Sequence, residues 1–485
     1  MNHILNMQVA TPEIFIFSMA CLILMIDLYT HDRLPLLSYW LTQATLVAGI
    51  YLGLGGMGTE PVTTFNGMFI HDGMSVVVKL AIMLFTLIGL VYSRQYILDR
   101  GMYRGEYYVL VLIAVLGMMV MTSASHFLSL YLGLELLSLS LYTLVAINRD
   151  SDTAVEAAMK YFVLGAVASG MLLYGMSLMY GVTGSLDIKT ISAAIQGMQS
   201  DDVMLMLGLI FIVVGLGFKL GVVPFHMWIP DIYQGAPTSV VLFIATAPKL
   251  AAFAMVIRLL VDGFQSIAVN WSDMLVILAV LSMALGNIVA IAQANFKRML
   301  AYSAISHMGY FLLGIISANP NGYSASLFYM IIYAFTGLAA FGLILLMSRS
   351  GFEAENISDY RGLNREHPWY AFMIALVMFS MAGLPPTVGF YAKLSVIQAL
   401  VDVNMISLAV IAVLLAVIGA FYYLRIVKTM YFDAPEAERT ITTGLDARVL
   451  VSLNAVMLLA VMPWIGTIMD LCMSAIQSMG CRARC

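Results

Sequence analysis

The sequence predicts an all-α polytopic membrane protein with about fourteen transmembrane helices, and two observations lead to this prediction. Of its 485 residues, 62% are hydrophobic and only 10% are charged, and the mean hydropathy is +0.94. A soluble domain carries about 25% charged residues. The apolar residues also form runs that approach the roughly 20 residues a helix needs to cross a bilayer. We therefore expect residues 1–485 to form a single membrane domain.

Taken in order, the apolar runs predict fourteen spans joined by short polar connections. The first run has no basic segment before it and is followed by a second run, so we expect it to be retained as a span. Spans four and five are divided only by a short turn at 123–126, and span twelve is too long for one simple helix. The spans are predicted at 11–29, 37–55, 74–94, 107–123, 125–147, 159–181, 203–222, 238–262, 273–293, 298–317, 325–347, 368–400, 405–427 and 446–470.

The placement of lysine and arginine predicts the direction of each span, because basic residues accumulate in cytoplasmic connections. Five lysines in or at the edge of spans are set aside. Of the other basic residues, fourteen lie in connections that follow odd-numbered spans, and only four lie elsewhere: Lys189, Arg258, Arg482 and Arg484. We therefore expect a multi-pass protein of the bacterial inner membrane with both termini on the periplasmic side.

The sequence offers little for cofactor or nucleotide chemistry. The four cysteines (Cys21, Cys472, Cys481 and Cys485) show no CxxC or cysteine–histidine spacing, so neither a structural metal nor an iron–sulfur cluster is predicted. No glycine-rich phosphate loop is found, and no connection is long enough for a soluble catalytic domain. We predict no cofactor, no metal and no nucleic-acid partner for this chain; its surroundings are lipid.

Two spans contain helix breaks, and each carries a lysine beside the break. Span seven is interrupted near Pro224 and holds Lys219, and span twelve is interrupted near Pro385 and Pro386 and holds Lys393. Because five spans separate them, they cross the bilayer in opposite directions, which predicts two inverted five-helix repeats, spans 4–8 and 9–13. Such repeats are typical of secondary transporters. The predicted segments are helices 1–3 at 1–103, a first repeat at 104–262, a second repeat at 273–430 and a C-terminal helix at 446–470.

Five ionisable residues lie deep inside predicted spans, where a charged group costs roughly 2.5–3.5 kcal/mol by insertion scales. They are Glu135, Lys219, Lys249, His307 and Lys393. Inward-facing, paired and hydrated groups of this kind indicate a proton relay. We expect Glu135 to pair with Lys219, so that movement of the carboxylate loads or unloads a proton. The structural alternatives are a protonated carboxyl for Glu135, a static ion pair for Lys219 and a packing histidine for His307.

Other ionisable residues lie near the ends of spans or inside a break. Lys79 and Lys160 can reach an interface by extending their side chains, so a place in the relay competes with a surface role. His226 and Asp231 lie in the break of span seven, where a hinge or rim role is as well supported as direct proton transfer. His126, beside the turn before span five, has the same two interpretations.

Five segments resemble the subunit N family of bacterial NADH-quinone oxidoreductase (respiratory complex I), which is related to Mrp-type cation/proton antiporter subunits. The resemblance covers nearly all of the chain. The segments are LGLELLSLSLY at 132–142, GFKLGVVPFHMWIPDIYQGAPT at 217–238, TAPKLAAF at 246–253, NFKRMLAYSAISHMGY at 295–310 and SMAGLPPTVGFYAKL at 380–394.

This resemblance implies an antiporter-like, proton-translocating subunit of the complex's membrane arm. It implies a Glu135–Lys219 pair, with Lys249, His307 and Lys393 along the central axis, but no fixed role for Lys79. FMN, iron–sulfur clusters and quinone are expected in partner subunits, and other membrane-arm subunits are the expected neighbours. An Mrp-type antiporter subunit stays the alternative, because the same buried charges would serve it.

Overall fold

Long apolar helices make up most of the chain in the computed structural model, which describes residues 6–30, 34, 36–198, 202–435 and 444–479. Within these ranges, eleven helices are long and apolar enough to cross a membrane, or twelve if a bent C-terminal pair counts as one span. A helical multi-pass membrane protein is thus confirmed. The number fourteen is not confirmed, because the segments predicted as spans two and twelve fall outside this set.

The residues that the structure describes form twenty α-helices, eleven of them in the first half of the chain. A π-helical turn (Ile257–Gly263) extends the last of them. The helices are α1 (Thr11–Thr30), α2 (Leu37–Leu54), α3 (Gly73–Asp99), α4 (Gly105–Thr122), α5 (Phe127–Val145), α6 (Asp152–Thr183), α7 (Ile188–Ile195), α8 (Val203–Leu220), α9 (Trp228–Gly235), α10 (Thr238–Ala245) and α11 (Ala247–Val256).

The second half contains nine α-helices. Single 3-10 turns also occur along the chain, at Met7–Ala10, Gln265–Ile267, Ile357–Tyr360 and Met462–Trp464. The helices are α12 (Ala268–Ile291), α13 (Phe296–Ile316), α14 (Pro320–Met347), α15 (Leu363–Glu366), α16 (Pro368–Ala382), α17 (Val388–Asp402), α18 (Ile406–Phe432), α19 (Leu445–Ala460) and α20 (Ile465–Gln477).

A two-stranded antiparallel hairpin departs from the all-α prediction. It consists of β1 (Val62–Thr64) and β2 (Phe69–His71), with Thr63 opposite Ile70. Three-residue strands are too short to show the alternation by which a strand is predicted. The fold class is therefore corrected to mostly helical, with this hairpin in the connection between α2 and α3.

Proline explains where the structure departs from single straight spans. The predicted C-terminal helix at 446–470 is two helices, α19 and α20, bent by 57° at a break that contains Pro463. The eighth predicted span is likewise divided into α10 and α11 at Thr246, just before Pro248. A proline ring removes one backbone donor and clashes with the preceding turn of a helix, so the helix kinks or ends there.

Glycine pairs bring helices of each half close together. A side chain at Gly117 of α4 would lie 2.6 Å from a backbone nitrogen of α5, and one at Gly133 of α5 would lie 2.6 Å from a backbone nitrogen of α4. Gly286 of α12 and Gly309 of α13 show the same reciprocal fit, at 2.7 Å and 2.8 Å from backbone atoms of the partner helix. Small residues permit this close packing of membrane helices.

Both broken helices end in the same backbone conformation. Gly221 follows α8 with φ +78°, and Gly383 follows α16 with φ +80°, a left-handed conformation that favours glycine. The next turns contain the prolines, and the Val223–Pro224 and Pro385–Pro386 peptide bonds are cis. Helix resumes at α9 and α17. The breaks therefore lie at 221–227 and 383–387, where the lysine-bearing segments meet the prolines.

Candidate functional site

The first break leaves the last carbonyl of a helix without an intrahelical partner, and a buried lysine donates a hydrogen bond to it. The Lys249 Nζ donates a hydrogen bond to the carbonyl of Leu220, the last residue of α8, at 2.7 Å. The ammonium also lies 5.7 Å from the ring centroid of Trp228. Lys249 is only 2% exposed. Because helix ends leave carbonyls without intrahelical partners, the break itself supplies the acceptor that this lysine needs.

The predicted Glu135–Lys219 pair is close but not in contact. The Lys219 Nζ donates to the hydroxyl of Ser138 at 2.9 Å, and Ser138 donates in turn to the Leu134 carbonyl. Lys219 and Glu135 lie near enough for their charges to interact, but no nitrogen–oxygen distance between them falls within 4.0 Å. The buried Oε1 of Glu135 has no hydrogen-bond partner. The Lys219 ammonium therefore contacts Ser138, one turn from Glu135 on α5, rather than the Glu135 carboxylate.

The second break repeats the arrangement of the first. The Lys393 Nζ donates to the carbonyls of Met381 and Ala382, the last residues of α16, at 3.0 Å and 2.8 Å. It also lies 5.1 Å from the ring centroid of Tyr310. A side chain at Gly383 would come within 2.8 Å of the Lys393 Cδ, so glycine is needed here for space as well as for its φ.

His307 lies in a buried group of hydroxyls. Its Nδ1 is 2.6 Å from the Tyr329 hydroxyl and its Nε2 is 3.1 Å from the Tyr423 hydroxyl, which is also hydrogen-bonded to Ser303. The two tyrosines come from α14 and α18. Each hydroxyl can donate or accept, so both ring nitrogens of His307 have a partner in either tautomer.

A small cavity joins the surroundings of His307 to the second break. Its volume is about 20 Å³, and the 10–15 Å³ threshold for one water is met. It is lined by His307 and Tyr333 on one side and by Ser380 and Met381 of α16 on the other. The Ser380 hydroxyl is buried and has no protein partner among the described residues. A water molecule here would have polar partners from both groups.

Lys160 and Asp231 lie at the rim of the site rather than inside it. Lys160 contacts Glu156 at 2.9 Å and Asp231 at 3.0 Å, and its side chain is 46% exposed. Arg298 reaches the same Asp231 carboxylate at 3.0 Å. Burial would raise the pKa of Asp231, but hydrogen bonds and charge from Lys160 and Arg298 lower it below its usual value.

These residues border a large polar cleft. Its volume is about 690 Å³, and α6, α9 and the connection after α14 all contribute to its wall. The charged side chains that line it are Asp99, Arg100, Glu156, Lys160, Asp231, Lys297, Glu353 and Glu355. Water can therefore reach the outer face of α9, the helix that follows the first break.

The remaining histidine candidates have separate roles. His226 lies in the first break and is buried, and its Nδ1 has no partner among the described residues. His126 caps α5 by accepting a hydrogen bond from the Leu128 amide at 3.1 Å. His126 therefore belongs to a helix start rather than to the relay.

Lys79 has a partner that the sequence did not indicate. Its ammonium forms an ion pair with Glu13 of α1, and both side chains are 6% exposed. It also lies 4.8 Å from the ring centroid of Phe69. No described contact joins this pair to either helix break. Glu13 is an acidic residue inside the first apolar run of the sequence. That position could have identified it as a buried partner for a lysine.

A second buried ion cluster was also missed. Arg258, 1% exposed, contacts Asp72 at 2.8 Å and Asp262 at 3.0 Å and donates to the Thr122 carbonyl. Asp72 also caps α3 through the amide of Ser75. The cluster ties the end of α11 to the starts and ends of neighbouring helices. In the sequence, Arg258 belongs only to the pattern of lysines and arginines that predicts the direction of the spans.

The residues that the structure describes contain no group of three or more histidine, cysteine, aspartate or glutamate side chains able to hold a metal ion. The site is made of lysines, histidine, hydroxyls and carbonyls. These groups can bind, hold and pass protons.

Residues 124–419 match the family described as NADH:quinone oxidoreductase/Mrp antiporter, transmembrane. Two similar proteins are named NADH-quinone oxidoreductase subunit N. The one from Thiobacillus denitrificans is 56% identical over 469 residues, covering 96% of this chain and 97% of the relative. The one from Nitrosomonas europaea is 55% identical over 470 residues, with the same coverage.

Two solved structures share the fold. A chain of respiratory complex I from Thermus thermophilus, with bound aureothin, has a TM-score of 0.81 and 32% identity and covers 95% of this chain and 98% of its own. A chain of the Mrp complex from Dietzia sp. DQ12-45-1b has a TM-score of 0.84 but 22% identity, with 97% coverage of both chains. The latter likeness concerns the fold alone.

Proposed function

This chain belongs to the family of NADH-quinone oxidoreductase subunit N proteins, and from that premise we propose that it moves protons through the membrane arm of that enzyme. Electron transfer from NADH to quinone takes place in partner subunits, which hold FMN, iron–sulfur clusters and quinone. Neighbouring subunits of the membrane arm flank this chain in the bacterial inner membrane. The identity above 50% to subunit N proteins over nearly the full length supports this assignment.

The observation that carries the proposal is the way Lys249 and Lys393 are held. Both ammonium groups donate to backbone carbonyls released by a helix break, and neither contacts a carboxylate within 4.0 Å. A neutral carbonyl attracts the ammonium but still accepts a hydrogen bond from the neutral amine. A lysine held this way can lose its proton without leaving an unpaired carboxylate buried in the membrane, whose cost would be several kcal/mol.

Glu135 and Lys219 form the loading end of the proposed relay. The Lys219 ammonium donates to the Ser138 hydroxyl, while the Glu135 carboxylate lies nearby without a direct hydrogen bond to Lys219. A small shift of α5 against α8 exchanges Ser138 for Glu135 as the partner of Lys219. The added attraction holds a proton on Lys219, and its withdrawal sends the proton onward to Lys249.

The onward route runs through His307 to Lys393. His307 holds hydrogen bonds at both ring nitrogens, and the cavity beside it is also lined by Met381, whose carbonyl binds Lys393. The polar cleft bordered by Lys160 and Asp231 gives water access at one face. In this proposal Lys160 attracts and positions water at the rim, and His226 lines the break.

The inverted repeat is part of the proposal. Spans 4–8 and 9–13 place His307 where the first repeat has Glu135, and Lys393 where it has Lys219. The reciprocal glycines between α4 and α5, and again between α12 and α13, support this correspondence. So does the left-handed glycine at each break. The first half then holds one helix break with Lys219 and Lys249, and the second half holds one helix break with Lys393.

Replacement of Lys219 by alanine tests the relay. We expect Lys219→Ala in an otherwise intact complex to lose most NADH-driven proton uptake into inverted membrane vesicles, because the first group able to carry the proton is gone. Lys189→Ala, at an exposed position on α7, is the matched control and keeps full uptake. The amount of intact complex on native gels checks assembly. Full uptake by assembled Lys219→Ala would refute the relay.

The Mrp-type antiporter alternative is less well supported, since the Mrp likeness at 22% identity concerns the fold alone. Copurification decides between the two functions. The proposed function requires that an affinity-tagged chain isolates a flavin-containing complex that oxidises NADH. Isolation of a complex with cation/proton exchange and no NADH oxidation would favour the alternative.

A further inference from the structure

The proposed relay has a gap between its two halves. Lys249 belongs to the first break, and His307 belongs to the second half of the chain. No hydrogen bond among the described residues joins their immediate partners. A group that bridges them must lie on an element touching both halves. The short helix α9 meets this condition, because it packs against α6 of the first half and α13 of the second.

Tyr233 of α9 is a buried hydroxyl with no partner. The residue is 0% exposed, and no protein atom within the described residues accepts from or donates to its hydroxyl. Leaving a buried hydroxyl unpaired is unfavourable. Its ring packs edge-to-face against Phe341 at 5.7 Å between centroids, a contact that phenylalanine would make equally well. Packing therefore accounts for the ring but not for the hydroxyl.

Aromatic side chains connect Tyr233 to the first break. The Tyr161 ring stacks on Trp228 at 4.8 Å between centroids and 8° between planes, and the Lys249 ammonium lies 5.7 Å from the Trp228 ring. Tyr233 lies on the same short helix as Trp228, five residues further along α9. Tyr233 therefore belongs to the helix that supplies part of the group of side chains around Lys249.

On its other side Tyr233 adjoins the surroundings of His307. Tyr233 contacts Phe341 of α14, the helix that also carries Tyr333. The Tyr333 ring lies 5.1 Å from the His307 ring, between centroids, and it lines the cavity of about 20 Å³ that reaches α16. The helix that carries the unpaired Tyr233 hydroxyl therefore packs against elements of both groups that the relay has to connect.

We infer that Tyr233 is a further relay residue, which passes protons between the Lys249 side and the His307 side by way of bound water. This inference rests on the proposed function. The Lys249 ammonium breaks an N–H bond and gives its proton to a bound water, and that water passes a proton to the phenol oxygen of Tyr233. The O–H bond of the phenol breaks at the same time toward a water on the other side, from which a proton reaches neutral His307. Tyr233 returns neutral, so the charge passes from Lys249 to His307 and no co-reactant is needed.

A tyrosine suits this position better than a further charged group. A phenol is neutral, so it avoids the cost of burying an ion in the membrane. Its hydroxyl both donates and accepts, which transfer in either direction requires. Its fixed ring also keeps the oxygen in place between the two halves.

Tyr233→Phe in the intact complex tests the inference, because it removes the oxygen and keeps the ring. We expect NADH-driven proton uptake to fall by about tenfold or more, as befits loss of a positioned proton-transfer group. The solvent deuterium isotope effect on uptake should increase, since proton transfer then limits the rate. Thermal stability should change little, because no hydrogen bond to a protein group is lost.

Tyr92→Phe is the matched control. Tyr92 is buried in α3, donates to the Leu450 carbonyl at 3.2 Å and accepts from Asn454 at 3.2 Å. This variant should lose thermal stability and keep full proton uptake, the opposite of Tyr233→Phe. Tyr333→Phe is a second test of the same path and should lower uptake as Tyr233→Phe does.

Wild-type uptake and an unchanged isotope effect in assembled Tyr233→Phe would overturn the inference. If Lys219→Ala still abolishes uptake in parallel vesicles, the relay stands and only the role of Tyr233 fails. If both variants pump protons normally, the role of Tyr233 and the proposed function both fail. Reduced uptake in Tyr233→Phe and Tyr333→Phe, with Tyr92→Phe normal, supports the assignment.

Discussion

At the residue scale, the kind of partner decides what each buried lysine can do. Lys249 and Lys393 are held by neutral carbonyls and can release a proton without stranding an anion. Lys79 is held by the Glu13 carboxylate instead. Removing one member of such a buried pair leaves the other charge uncompensated. We therefore expect Lys79 to stabilise the contact between α1 and α3 rather than to carry protons.

Neutralising the Glu13–Lys79 pair tests this distinction. Glu13→Gln alone should destabilise the protein by about 3–5 kcal/mol, because the Lys79 ammonium stays buried without a counter-charge. The double variant Glu13→Gln/Lys79→Met removes both charges and should regain most of that stability. The temperature at which the purified complex dissociates measures the difference.

Proton uptake by the double variant provides the functional readout. It should match the wild type once assembly is equal. An assembled double variant without proton uptake would instead assign Lys79 to the relay, as its position in a predicted span first allowed.

At the element scale, the two helix breaks are the parts of the fold that create the site. Each ends a helix at a left-handed glycine, and each presents the last carbonyls of that helix to a lysine further along the chain, on α11 for the first break and on α17 for the second. Irregular backbone is tolerated at membrane depth only against protein or water. The lysine therefore supplies a hydrogen-bond donor to the last carbonyls of the broken helix, and those carbonyls supply the acceptors that the buried ammonium needs.

Gly383→Ala tests whether the second break positions Lys393. Alanine in the left-handed region costs about 1–2 kcal/mol, and its methyl group would lie 2.8 Å from the Lys393 Cδ and displace the ammonium from its carbonyls. We expect a large loss of proton uptake in the assembled complex, measured in inverted vesicles.

Gly351→Ala is the control for backbone strain. Gly351 has φ +75°, close to the +80° of Gly383, but no atom lies within 4 Å of an added methyl group. The Gly351→Ala variant should lose a similar amount of stability and keep normal proton uptake. Equal uptake by the two glycine variants would contradict a positioning role for the break.

At the scale of the whole molecule, the short helix α9 packs against α6 of the first half and α13 of the second. Residues of the first half hold Lys219 and Lys249, and residues of the second hold His307 and Lys393. The large polar cleft opens beside α9. The placement of basic residues predicts the orientation of this arrangement across the membrane.

Labelling of single cysteines tests that orientation. In a variant lacking Cys21, Cys472 and Cys481, a membrane-impermeant maleimide should label Cys485 from the periplasmic side only, since both termini are expected there. An added cysteine at the exposed Asp150, in the connection between α5 and α6, should be labelled only in inverted vesicles. Labelling of both from one side would reject the proposed orientation.

The sequence alone predicted much of the fold because its main signals are local. Apolar run length placed a helix at each predicted span, and proline with glycine placed both breaks. The rarity of charge in a bilayer singled out the buried lysines and His307. The hairpin and the bend at Pro463 were not predicted, since the first is too short for a periodic pattern and the second lies inside a continuous apolar run.

The hydrogen-bond partners of the buried lysines were decided only by the tertiary structure. Leu220 accepts from Lys249 across 29 positions of sequence, and Ser138 accepts from Lys219 across 81. No local pattern records which carbonyl or hydroxyl a packed helix will present. The sequence by itself determined that charges would be buried beside broken helices. Close packing determined that two of those lysines meet neutral carbonyls, and that the Tyr233 hydroxyl is buried without a partner among the described residues.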